Sequence, residues 1–120
     1  MAFRISTALK NSLCLALINP LAGTSGVSGT ASLKIYEGVQ PASADDDAGT
    51  YSLLCEISNI GWNATTSGTA SFANTSGYVG TAAMDGTAGW GRMENINGLG
   101  TCRVDGDVGT QVNNVFTIFC

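Results

Sequence analysis

The sequence predicts a mainly β protein, an antiparallel β-sandwich or barrel preceded by one short N-terminal α-helix. Three observations predict it. Short segments along most of the chain alternate apolar and polar residues, the period of a half-buried strand. Turn signals such as Asp-Gly and Asn-Gly separate them, at about the spacing of a sandwich. Helical spacing occurs in a single segment near the N-terminus, so the βαβ alternation of a parallel α/β sheet is missing.

The helix is predicted over about 5–18. Ile5, Leu9, Leu13 and Leu17 recur every four residues, with Ala8 and Ala16 beside them, forming one apolar stripe. Ser6 or Thr7 suits the N-cap, and Pro20 and Gly23 predict the end. Residues 19–31 read as a Gly/Ser/Thr-rich connector, and 32–120 as the sandwich, all within a single domain 1–120. In "SLKIYEG" (32–38), Leu33 and Ile35 oppose Lys34 and Tyr36. A loop with Pro41 and three aspartates follows over 39–50. "YSLLCEIS" (51–58) alternates again, "GTASFAN" (68–74) is a weaker strand holding Phe72, and 81–95 reads as two short strands around Asp85-Gly86. Asn97-Gly98 predicts a turn. In 100–109, Cys102 and Val104 oppose Arg103 and Asp105, and "NNVFTIFC" (113–120) is β-branched and aromatic.

The stretch around Trp90 carries most of the shape. Trp90 and Arg92 are two apart and share a strand face, so the ring can fill the sandwich edge with the guanidinium over it. Gly89 and Gly91 flank the ring and predict close approach of another backbone. Trp90, Arg92 and Tyr36 are the candidate interface residues.

Charged residues make up 12% of the chain, about half the usual fraction. Gly, Ser, Thr and Asn supply the polarity instead, which suits surfaces that lie against a partner. The net charge is −4. The cations Arg4, Lys10, Lys34, Arg92 and Arg103 are scattered through the sequence, so no basic footprint for nucleic acid is expected. No stretch approaches the ~20 apolar residues of a membrane span. The N-terminal apolar run is short and flanked by Asn11 and Asn19, so a cleaved signal is not expected.

Catalysis has little to work with. There is no histidine, which removes the commonest general base and transition-metal ligand. The G-x-S-x-G elbow, the P-loop and GxGxxG are missing, and nothing in the sequence pairs Glu37 with Glu56 as glycosidase carboxylates. The chain is read as a non-enzyme without a cofactor. Asp45, Asp46 and Asp47, and separately Asp105 and Asp107, are minor calcium candidates. The EF-hand pattern is missing, and a solvated acidic loop and an Asp-Gly turn explain them better. Cys14, Cys55, Cys102 and Cys120 lack CxxC spacing. They read as buried thiols, with at least one disulfide as the alternative and the pairing open. Trp62, Phe72, Tyr78 and Trp90 read as core rather than as a sugar-stacking platform.

The order of motifs resembles a family of small bacteriophage and prophage virion proteins encoded near the major capsid protein. "ISTALKNSL" (5–13), "KIYEGVQPASA" (34–44), "LLCEIS" (53–58), "GTAGWGRMEN" (86–95), "RVDGDVGT" (103–110) and "VFTIF" (115–119) match its elements in order. The four cysteines and the glycines beside Trp90 depart from the pattern. The resemblance implies a jelly-roll-like β-sandwich and a capsid decoration (cement) protein. It would sit on the capsid surface of the virion, assemble in the host bacterial cytoplasm, and work as a homo-oligomer, dimer or trimer, with the major capsid protein as partner. A tail, fibre or head–tail joining protein is the alternative, and a secreted carbohydrate-binding module a more distant one.

Overall fold

The computed structural model describes residues 2–22, 28–63, 67–73, 76–95 and 102–108. Its elements are α1 (Thr7–Ala22), β1 (Ser28–Glu37), β2 (Leu53–Ile60), β3 (Thr81–Ala82), β4 (Ala88–Asn95) and β5 (Arg103–Asp107). The described strands form a single antiparallel sheet in the order β3-β2-β1-β4-β5. The protein is therefore mainly β with one short helix. β1 is the central strand because both its edges find long partners, β2 and β4.

Register follows the alternation read from the sequence. Lys34 stands opposite Glu56 on β2 and Arg92 on β4, and β4 in turn sets Arg92 opposite Asp105 and Glu94 opposite Arg103. Because side chains alternate across a strand, these residues share one face with Tyr36 and Trp90. The opposite face presents Ala31, Leu33, Ile57, Met93 and Val104 to the core, where they meet Ile18 and Leu21 of α1 and the ring of Trp62.

Three elements differ from expectation. β1 begins at Ser28, inside the predicted connector. Of the strand expected over 68–74, the described residues 68–73 contribute an isolated bridge, Phe72 to Trp62, rather than a strand. Two backbone bonds flank the bridge, from the Asn63 amide to the Ser71 carbonyl and from the Ala73 amide to the Gly61 carbonyl, both at 2.9 Å, and the two rings pack at 4.7 Å. The predicted strand 113–120 and the Asn97-Gly98 turn lie outside the described residues.

The helix is the largest correction. It starts as expected, with the Leu9 amide donating to the Ser6 hydroxyl at 3.2 Å, an N-cap bond. It then runs through Pro20 to Ala22. Proline deletes one amide donor and crowds the preceding turn, but here it falls in the last turn. Leu21 is buried beyond it, and the Asn95 amide donates to the Pro20 carbonyl at 3.0 Å. The buried stripe is also a different one. Cys14, Ile18 and Leu21 face inward, whereas Leu9 and Leu13 are 47% and 49% exposed. Four-residue spacing drifts about 40° per step around a 3.6-residue helix, so the 5-9-13-17 set winds off any one face. The set 11-14-18-21 stays on one face, and Asn11 accepts a bond from the Gly68 amide at 2.7 Å.

Gly89 meets the expectation of close backbone approach. A Cβ there would collide with the Gly38 carbonyl oxygen. At Gly91 it would meet the Ile35 side chain at 3.2 Å, a contact that a methyl group can shift. Gly89→Ala is therefore expected to lower stability by about 1–3 kcal/mol, the usual cost of overpacking. Gly91→Ala should cost less, and urea unfolding of the two variants side by side checks the order.

Candidate functional site: the polar face of the sheet

The segment 38–52 leaves β1 and folds back across the sheet face that carries the charged residues. It is ordered by its own short bonds. The Asp46 amide donates to the Ser43 carbonyl at 3.1 Å and the Tyr51 amide to the Ala48 carbonyl at 3.0 Å. The Ser43 amide donates to the Asp46 carboxylate and the Gly49 amide to the Asp47 carboxylate. Asp, Ser and Gly favour such local turns.

Two guanidinium groups fasten this segment to the sheet. Arg92 is 1% exposed. Its Nε and Nη2 donate to both oxygens of Asp105 at 2.7 and 2.8 Å, and its Nη1 donates to the Asp46 carbonyl at 2.7 Å. Arg103 reaches the carbonyls of Ala44, Asp45 and Asp46 at 3.3–3.5 Å. Beside them, Lys34 Nζ donates to Glu94 at 2.6 Å, and Arg103 Nε lies 3.5 Å from the other Glu94 oxygen. Three aromatic rings complete the face. Tyr36 stacks on Trp90 at 4.5 Å, Tyr51 meets the same ring edge-on at 5.0 Å, and the Arg92 guanidinium lies 5.3 Å from its centre, within cation–π range.

Between segment and sheet lies a cavity of about 370 Å³. Lys34, Tyr36, Asp47, Tyr51, Leu53, Arg92, Glu94 and Arg103 are among its lining residues. Three of the five cations of the chain thus converge here, although 69 positions (103 − 34) separate the first from the last. Sequence reading leaves them scattered because antiparallel pairing, and no local motif, unites them. The alternation of Lys34 with Tyr36 and of Arg103 with Asp105 is the signal that foreshadows it.

The electrostatics favour protonated forms at this face. The hydrogen bond from Lys34 to Glu94 holds the ammonium above the ordinary lysine value of 10.5. Burial pushes the Tyr36 phenol above the ordinary 10.0. Both groups bind protons more tightly when folded, so their contribution is complete below the unfolded values and is lost as pH rises through the folded ones. Unfolding free energy is expected to fall above pH 10, the onset set by the ordinary Tyr36 value. A Lys34→Met, Tyr36→Phe variant should show a shallower fall in urea titrations across that range.

The candidate residues divide as follows. Trp90, Arg92 and Tyr36 come together but are buried, at 0%, 1% and 6% exposure, so a partner at this face would meet the covering segment first. Asp45, Asp46 and Asp47 are exposed in a turn whose carbonyls face cations, and Asp105 is committed to Arg92. Asp107 ends β5 and is exposed. Among the described residues no three His, Cys, Asp or Glu side chains converge as a metal site. Trp62 is buried against Phe72, so neither indole offers an open face for a sugar. Cys14 is disulfide-bonded, which corrects its reading as a buried thiol and bears out the disulfide alternative, while Cys55 and Cys102 are free thiols. No described helix is long and apolar enough to cross a membrane. No protein-family model, curated protein or solved structure matches the chain.

Proposed function

We propose that this protein is a bacteriophage capsid decoration (cement) protein. It binds the outer capsid surface as a homo-oligomer and reinforces contacts between major capsid protein subunits. The observation that carries the reading is the outer face of α1. Leu9, Leu13, Ala16 and Pro20 recur at spacings of four, three and four, which places them on one side of the helix, opposite Cys14, Ile18 and Leu21. Leu9, Leu13 and Ala16 on that side are exposed. A helix apolar on both sides is a helix that is covered on both sides, and an exposed apolar strip is a protein contact surface. The low charge of the chain keeps the desolvation cost of such a contact small. The motif order shared with small virion proteins supports the same role, and in this reading the five strands are one layer of a jelly-roll-like sandwich.

The test is the copy number in purified particles that contain the chain, measured by quantitative gel densitometry. A number matching the capsid lattice is expected. A handful of copies per particle would overturn the lattice role and favour a tail or head–tail joining protein. Leu9→Glu, Leu13→Glu should abolish attachment to capsids while leaving the sheet intact, since neither side chain belongs to the core.

A further inference from the structure

We infer that the cavity on the polar face of the sheet recognises a carboxylate. The inference goes beyond capsid attachment and does not depend on it.

Arg92 is satisfied: its Nε, Nη1 and Nη2 each donate to an oxygen at 2.7–2.8 Å. Lys34 is held by Glu94 at 2.6 Å. Arg103 is the poorly served member. Its Nη1 makes long contacts of 3.3–3.5 Å to three carbonyls, and these are dipoles rather than charges. Its Nε is buried and has no hydrogen-bond partner among the described residues. The nearest carboxylate oxygen, on Glu94, stands at 3.5 Å, and Glu94 also serves Lys34. Guanidinium presents five N–H groups in a planar fork suited to a carboxylate. Leaving a buried donor unpaired costs free energy that a fitting acceptor returns. Glu94 is thus shared between two cations, and the Arg103 Nε–H is left without an acceptor among the described residues.

The surroundings define the rest of the ligand. Tyr36, Tyr51 and Leu53 line the cavity beside the cations, offering ring and alkyl surface to the body that carries the acid. The volume of about 370 Å³ is at the small end of ligand pockets. Asp47 and Glu94 also line the cavity, and their charges disfavour a multiply charged anion such as phosphate. The ligand is thus a singly charged carboxylate on a small flat or aliphatic group. A glutamate or aspartate side chain of a bound protein and a free carboxylic acid share that chemistry.

The test uses the full chain, ¹⁵N-labelled, at constant ionic strength, with the arginine Nε–H and backbone amide signals followed by NMR. Three probes are titrated: benzoate, a capped tripeptide with a central Glu, and the same tripeptide with Gln. The Arg103 Nε–H and the amides of 34–36 and 92–94 are expected to shift saturably with a carboxylate probe and not with the Gln peptide. Tighter binding of the Glu peptide would assign the site to a protein side chain, and tighter binding of benzoate to a free acid. Arg103→Gln should weaken binding about tenfold or more. Shifts that never saturate at millimolar probe, or that are equal for the Glu and Gln peptides, would overturn the inference. So would unchanged affinity in a folded Arg103→Gln variant. If that variant does not fold, the Glu and Gln peptides on the unaltered protein decide.

Discussion

Arg92→Met is expected to destabilise the protein by about 3–5 kcal/mol, the cost of removing one partner of a buried ion pair. Arg92 and Asp105 are 1% and 3% exposed and joined by two short bonds. Methionine would leave the Asp105 carboxylate out of water with no countercharge, and would free the Asp46 carbonyl that Arg92 holds. The loss arises from the stranded charge more than from the missing attraction, so the companion variant discriminates. Arg92→Met, Asp105→Leu removes both charges and should recover most of the stability. Urea midpoints of the wild type, the two single variants and the double variant form the cycle. If the double variant is no better than Arg92→Met alone, the ion pair itself, and not its burial, carries the energy.

Trp90→Ala is expected to cost a further large amount, about 3–5 kcal/mol for a fully buried indole. The ring is 0% exposed and serves three neighbours at once: the Tyr36 ring on its face, the Tyr51 ring at its edge, and the Arg92 guanidinium nearby. Alanine would open a void on the central strands, which close-packed interiors do not refill. Trp90→Phe should be far milder, under about 1.5 kcal/mol. The indole nitrogen has no hydrogen-bond partner among the described residues, so phenylalanine gives up packing and no bond. A thermal melt of both variants tests the ranking, and equal losses would show that the ring's size is not what the site uses.

The strands were legible because their chemistry is local. Leu33 and Ile35 against Lys34 and Tyr36, and Cys102 and Val104 against Arg103 and Asp105, announce their faces within a few residues, and β1 and β5 obey them. The aspartates 45–47 likewise behave as an exposed turn. What was not legible is long-range or degenerate. Pairing of β1 with β4 and of β4 with β5 decides that Lys34, Arg92 and Arg103 meet, and no spacing within the chain encodes it. The helix misleads for a different reason. With Lys10 as its one charge, it offers apolar residues on several sides, so periodicity cannot choose the buried side. The sheet chooses it, through Ile18 and Leu21 against Ala31 and Met93. Pro20 shows the limit of reading single residues: a helix breaker is overridden when the next residue is an anchor.

The segment 38–52 closes over the sheet and meets its ladder at its last residue, where the Ser52 carbonyl accepts from the Glu37 amide at 3.0 Å. At the Arg92 end it is tied down by side chains reaching carbonyl oxygens, and its internal bonds link neighbours in sequence. The roof and the floor of the cavity therefore belong to different cooperative units. The floor exchanges its amide hydrogens only when the sheet opens. The roof can lift at the expense of a few guanidinium contacts, and its amides at 43–49 should exchange orders of magnitude faster than those of β1. Entry to the interior is then governed by a small local equilibrium, and a molecule that binds beneath the roof would slow that exchange without altering the stability of the strands themselves.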